Sequence, residues 1–148
     1  MNEQEFVNTI QQTFQDLLEI DVEHIEENNA LDEIKEKLIS VIVHFTGDEH
    51  GVLKLTTSHE CAYIFAGLML FMEEEELVLE DVQDSFGEIL NIIAGNLKTY
   101  IFHSCNISIP SFVNGKDYAI KFPKTERLYT SYFKYKAHTL RLDIMKQE

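Results

Sequence analysis

The sequence predicts an α+β domain: a largely antiparallel sheet with an N-terminal helix and two central helices packed on it. Three observations predict it. The 148 residues amount to about one domain's length, enough for a single core and too short for a split one, so residues 1–148 are read as one domain. Helix-period apolar stripes occur in three places. Short β-branched runs follow one another in hairpin-like succession before and after the two central stripes.

In chain order, Phe6, Val7, Ile10, Phe14, Leu17 and Leu18 fall at i, i+3/i+4 spacing and predict an amphipathic helix from Glu3 to Ile20. An acidic connector is expected from Asp21 to Glu36. Leu38 to Phe45 is short and β-branched, so it reads as a strand. Gly47 to Gly51 turns the chain, and Val52 to Leu55 returns as the second arm of a hairpin. Thr57, with Glu60 three residues on, forms a capping-box pattern. The helix it opens runs through Ala62, Ile64, Phe65 and Leu68 to about Phe71. The run Glu73 to Glu76 marks a solvated loop. A longer, proline-free helix is expected from Leu79 to His103. Pro110 and Pro123 then punctuate four candidate strands: Asn106–Ile109, Tyr118–Phe122, Tyr129–Tyr135 and Thr139–Met145.

Composition is ordinary for a globular protein, with 45% apolar and 26% charged residues. Charge balance is not: 26 acidic against 12 basic side chains give a formal net charge of −14. That argues against nucleic acid, whose phosphates demand a Lys/Arg patch, and against an anionic membrane surface. No apolar run approaches the roughly 18–20 residues of a spanning helix, and the opening MNEQEF is acidic rather than signal-like. A soluble, cytoplasmic protein is expected. Cys61 and Cys105 form no CxxC and read as small buried hydrophobes, although His59 and His103 nearby keep a reactive thiolate in view. The six histidines show no HExxH and no i, i+4 pair, and no intrinsic metal site is expected. GxGxxG, GxxxxGK[ST] and GxSxG are all absent.

The long helix holds the chemistry. At about 100° per residue, Val82, Phe86, Ile89, Leu90, Ile93 and Leu97 fall on one apolar face. Asp81, Asp84, Ser85, Glu88, Asn91, Gly95 and Thr99 lie opposite. Asp84, Glu88, Asn91 and Gly95 form one ridge, spaced by four, three and four. A carboxylate one turn from a carboxamide suits docking and positioning rather than acid–base work: Asn cannot titrate, but it can donate and accept at once. Such pairs are common on solvated helices, and Glu26-Glu27-Asn28-Asn29 repeats ExxN without the flanking residues. Gly95 discriminates, because a mid-helix glycine costs about 1 kcal/mol and usually answers a close approach. Ile92, an apolar residue beside Asn91, is expected to be exposed and covered by a partner.

Asp84-xxx-Glu88-xx-Asn91-xxx-Gly95 resembles the signature helix of the CheC/CheX/FliY family of chemotaxis phosphatases. Phe45-Thr-Gly47 to Gly51-Val-Leu-Lys-Leu55 is similar to that family's hairpin, and Ser108-Ile-Pro110-Ser to Gly115 to its strand after the long helix. A single motif is closest to CheX, since CheC generally has two. The turn at Lys136-Ala-His138 departs from the family by lacking a glycine. The resemblance implies hydrolysis of an aspartyl-phosphate on a CheY-like response-regulator receiver. Asn91 would position the attacking water, Glu88 would pair with the receiver's lysine, and Asp84, Ile92 and Gly95 would contact the partner. Mg²⁺ would belong to the receiver, with no cofactor on this chain. It also implies a homodimer joined through sheet edges, through one of the C-terminal strands. The alternative is a non-catalytic module of the same fold that binds a receiver or motor component.

Overall fold

The computed structural model describes residues 1–26, 37–116 and 118–148. The helices are α1 (Glu3–Leu18), α2 (His59–Leu70) and α3 (Leu79–Leu97), with a 3₁₀ turn at Glu74–Glu76. The strands are β1 (Glu23–Ile25), β2 (Leu38–Gly47), β3 (Gly51–Ser58), β4 (Cys105–Ile107), β5 (Ser111–Gly115), β6 (Thr125–Tyr135) and β7 (His138–Gln147). They make one sheet in the order β1-β6-β7-β3-β2-β4, with β5 also on β2. Every pairing is antiparallel. The expected α+β class and antiparallel sheet are therefore present.

All three helices pack on one face of this sheet. Strand alternation selects the face: Ile39, Val41, Val43 and Phe45 of β2, Leu53 and Leu55 of β3, and Leu140, Leu142 and Ile144 of β7 enter the core. Phe6, Ile10 and Phe14 of α1, Phe65 of α2 and Phe86, Ile89 and Ile93 of α3 meet them there, all fully buried. Complete burial of such side chains stabilises by roughly 1.5–3 kcal/mol each, which holds α3 firmly against β2 and β3. The opposite face is polar at its centre. Asp143 is buried there, accepting from Thr130 Oγ1 at 2.6 Å and from Arg141 Nε at 3.1 Å, with Lys54 Nζ at 3.7 Å.

Several boundaries differ from expectation, for identifiable reasons. The N-cap of α2 is Ser58, whose Oγ accepts from the Cys61 N–H at 3.1 Å. Thr57 is still strand, because β3 pairs with β2 as far as Leu38↔Ser58, and its hydroxyl donates to the Thr139 carbonyl instead. Helix α3 stops at Leu97, six residues before His103. The last turn tightens, with Tyr100 N–H bonded to the Leu97 carbonyl, and Phe102 (φ 59) swings its ring onto Phe45 at 4.7 Å between centroids. Residues 118–122 form no strand. They cross the polar face of the sheet, where Tyr118 Oη bonds Ser40 Oγ at 2.7 Å and Phe122 meets His44 edge-on. Their alternation reflects packing on a face rather than strand pairing. Lys136 supplies the left-handed turn residue between β6 and β7 (φ 52) that a glycine more often fills. From residue 27 to residue 36 the expected acidic connector, with most of the Glu26–Asn29 repeat, lies outside the described residues; its first part contains β1.

Candidate functional site

Helix α3 is the platform. Asp81 reaches back to the Val78 N–H at 3.1 Å, and Glu80 and Asp81 complement the positive end of the helix dipole. Val82, Phe86, Ile89, Leu90, Ile93, Ala94 and Leu97 are buried, so the opposite ridge is held rigidly in solvent. On it, Asp84, Glu88 and Gly95 are exposed and Asn91 is half-buried. The amide oxygen of Asn91 is enclosed yet has no hydrogen-bond partner among the described residues. The predicted ridge is thus present as one continuous surface.

Its two flanks differ. On one side, Asn96 donates to Thr13 Oγ1 of α1 at 3.1 Å, tying the helices together. Ile92, one turn earlier on that flank, is half-buried rather than open, and it lies outside the main core cluster. Ser85 is buried, although the wheel put it on the polar face. A helical wheel knows nothing of the neighbouring helices, which pack beside α3 and narrow the solvated arc.

On the other side sits Gly87, a residue the sequence did not single out. A Cβ there would lie 3.0 Å from Phe112 Cζ and 3.2 Å from Pro110 Cγ. The loop leading into β5 therefore packs directly on the helix backbone one turn before Asn91. Gly95 is the reverse case: a Cβ there meets nothing within 4 Å. Packing within the chain does not call for a glycine at that point, and the helix surface stays low and open beside Asn91.

The stretch of chain that carries this helix is one-sided in charge. Between Lys54 and Lys98 the sequence contains no lysine or arginine, but nine carboxylates: Glu60, Glu73 to Glu76, Glu80, Asp81, Asp84 and Glu88. Of these, Asp84 and Glu88 are exposed on the ridge. Neither cysteine can serve as a nucleophile. Cys61 is fully buried, which pushes its thiol up to about 12, and Cys105 is buried with its Sγ donating to the Glu49 carbonyl. Among the described residues no cluster of three or more His, Cys, Asp or Glu side chains is placed to hold a metal ion. No described helix is long and apolar enough to cross a membrane.

The fold and the site together are a one-sheet α+β scaffold presenting a helical ridge of exposed carboxylates around an amide. Comparison identifies its family. The model for chemotaxis phosphatase CheX matches residues 39–134, well over half of the chain, and this chain belongs to the CheX family of chemotaxis proteins. Among solved structures, chemotaxis protein CheX from Vibrio vulnificus superposes with a TM-score of 0.77 at 16% identity, over 98% of this chain and 95% of that one. The CheX–CheY–BeF3–Mg²⁺ complex from Borrelia burgdorferi gives 0.76 at 24% identity, over 98% and 97%. FliY from Thermotoga maritima gives 0.60 at 16%, over 98% and 90%. At these identities the likeness is one of fold. No curated protein sequence matches the chain significantly.

Proposed function

We propose that this protein is a phosphatase that hydrolyses the aspartyl-phosphate of a CheY-like response-regulator receiver. The observation that supports it most is the placement of exposed Glu88 one turn from half-buried Asn91 on a firmly anchored helix. Family membership and the CheX–CheY complex from Borrelia burgdorferi support the choice of partner.

In this reading α3 enters the receiver's active site. Glu88 pairs with the receiver's lysine and fixes the register, assisted by Asp84. Gly95 and the half-buried Ile92 lie under the receiver's loops. Asn91 holds a water in line with the phosphorus through its amide. The water's oxygen bonds to phosphorus, the bond from phosphorus to the aspartyl oxygen breaks, and inorganic phosphate and a free carboxylate result. Asn91 does not exchange a proton; it orients the nucleophile. Positioning of this kind lowers a barrier by as much as roughly 7–11 kcal/mol when every reacting group is aligned. Mg²⁺ is the receiver's, held by the partner throughout.

The working molecule is a cytoplasmic homodimer paired through a sheet edge. Strand β7 is bonded on both sides from Arg141 to Lys146, so it is interior to the sheet. Among the described residues β6 offers an edge, since the short β1 covers just Tyr132 to Lys134, and so does β5, which pairs with β2 on one side alone. Sedimentation at micromolar concentration should give twice the monomer's 17.2 kDa; a monomer alone contradicts the dimer.

The activity is tested by following phosphate release from phosphorylated receivers with and without catalytic amounts of this protein. Acceleration is expected. Stable binding without acceleration would leave a docking module and remove the enzyme.

A further inference from the structure

We propose that Ile109 is an apolar anchor for the same receiver that meets Glu88 and Asn91, so that this protein grips its partner at two places rather than along α3 alone. The inference rests on the proposed function and adds a contact to that site.

Ile109 is 87% exposed. A lone exposed isoleucine would ordinarily need no explanation, but the setting of this one is unusual. Its two neighbours are fixed. Ser108 is clamped to β2 in both directions, its N–H donating to the His44 carbonyl at 2.9 Å and its Oγ accepting from the His44 N–H at 2.9 Å. Pro110 is seated on α3, its ring 3.2–3.3 Å from where a Gly87 Cβ would be. Between a clamped serine and a packed proline, Ile109 has little backbone freedom, and its side chain is held out in water. An apolar side chain on a constrained backbone loses less entropy on binding than one on a mobile loop, a property that suits an interface anchor.

Position completes the argument. Gly87 and Asn91 are one turn apart on the same flank of α3, about 6 Å of helix rise. Ile109 is the residue next to the proline that covers Gly87. In our proposal a protein surface that covers Asn91 and the Pro110 flank extends to Ile109. A second copy of this chain is a poor occupant, because a two-fold contact here would set Asp84 and Glu88 against the same carboxylates of its mate. A partner with a basic surface around a small apolar pocket fits instead.

The test measures binding of a receiver held in its activated form by beryllofluoride and Mg²⁺ to the wild type, Ile109→Ser and Ile109→Val, with the folds compared by thermal melting. Removing the buried surface of an isoleucine from an interface should raise Kd roughly ten- to hundredfold. In turnover that rise should fall on KM rather than on kcat. Ile109→Val should remain within a few fold of wild type, and no variant should melt lower. If Ile109→Ser binds like a wild type that itself binds, the anchor is wrong while the phosphatase assignment stands. If Ile109→Ser alters sedimentation but not receiver affinity, the residue serves self-association and the proposal is overturned. Binding by the wild type without hydrolysis, with Kd still raised in Ile109→Ser, would remove the enzymatic function and keep the anchor. A wild type that binds no receiver would remove both.

Discussion

Two glycines in α3, eight residues apart, should respond differently to alanine. At Gly95 a Cβ meets nothing within 4 Å, so Gly95→Ala gains helix propensity without a clash, by at most about 0.5–1 kcal/mol because the residue lies in the last turn of α3. For a chain of this size that raises the melting temperature by at most about 2–4 °C. At Gly87 the same gain meets crowding. The new methyl would sit 3.0 Å from Phe112 Cζ and 3.2–3.3 Å from the Pro110 ring, inside ordinary van der Waals contact. Phe112 can tilt, but the proline ring is tied into the backbone. Overpacking of this kind costs about 1–3 kcal/mol, leaving Gly87→Ala neutral to about 2 kcal/mol less stable. Urea unfolding with an unchanged m-value reads both. Gly95→Leu extends the experiment: it should keep most of the stability gain yet weaken receiver binding, because its side chain fills the low ground beside Asn91. If Gly95→Ala destabilised the protein, or if Gly95→Leu bound and dephosphorylated the receiver like wild type, the open surface drawn at this position would be wrong.

Further outcomes follow from the polar face of the sheet and from the thiols. Asp143→Ala leaves Lys54 and Arg141 without their shared carboxylate in a largely enclosed site, and should cost about 3 kcal/mol in urea unfolding. Receiver binding should survive, since α3 lies on the other face; a loss below 0.5 kcal/mol would mean that the cluster is solvated. With its thiol at about 12, Cys61 is ionised to roughly one part in ten thousand at pH 8. Iodoacetamide should therefore label it only after unfolding, as read by intact mass, and rapid labelling of the folded protein would contradict its burial.

Much of the fold was legible because two periodicities were strong. The α1 stripe and its cap are clean: Glu5 N–H donates to Asn2 Oδ1 while Glu5 returns to the Asn2 N–H. The β2–β3 hairpin is marked by short β-branched runs on either side of a glycine turn. Sequence reasoning failed where tertiary contacts overruled local pattern. Nothing local distinguishes Thr57 from Ser58 as a cap; β-pairing decides it. Nothing in the run to His103 announces that Phe102 must leave the helix to reach Phe45. Residues 118–122 alternate like a strand because they cross the polar face of a sheet. The ridge Asp84-Glu88-Asn91-Gly95 was legible in full, since spacing along one helix needs no tertiary knowledge. Its flanks were not. Ile92 is partly sheltered on the side where α3 is tied to α1, and Gly87 was passed over although a second mid-helix glycine carried the same signal as Gly95. Ile109 could be placed beside the ridge only once Pro110 was seen on Gly87.

The most direct measurement of the central claim is the decay of a phosphorylated receiver at saturating concentrations of wild type, Asn91→Ala and Glu88→Ala, with the affinity of each for the beryllofluoride-activated receiver determined in parallel. Asn91 is half-buried on the ridge and Glu88 exposed, so neither substitution should unfold the helix. If Asn91 positions the water, Asn91→Ala loses roughly a hundredfold or more in rate while its Kd stays within a few fold of wild type. Glu88→Ala should instead raise Kd and recover much of the rate at saturation. An Asn91→Ala protein that still releases phosphate at the wild-type rate would contradict the assignment at its centre.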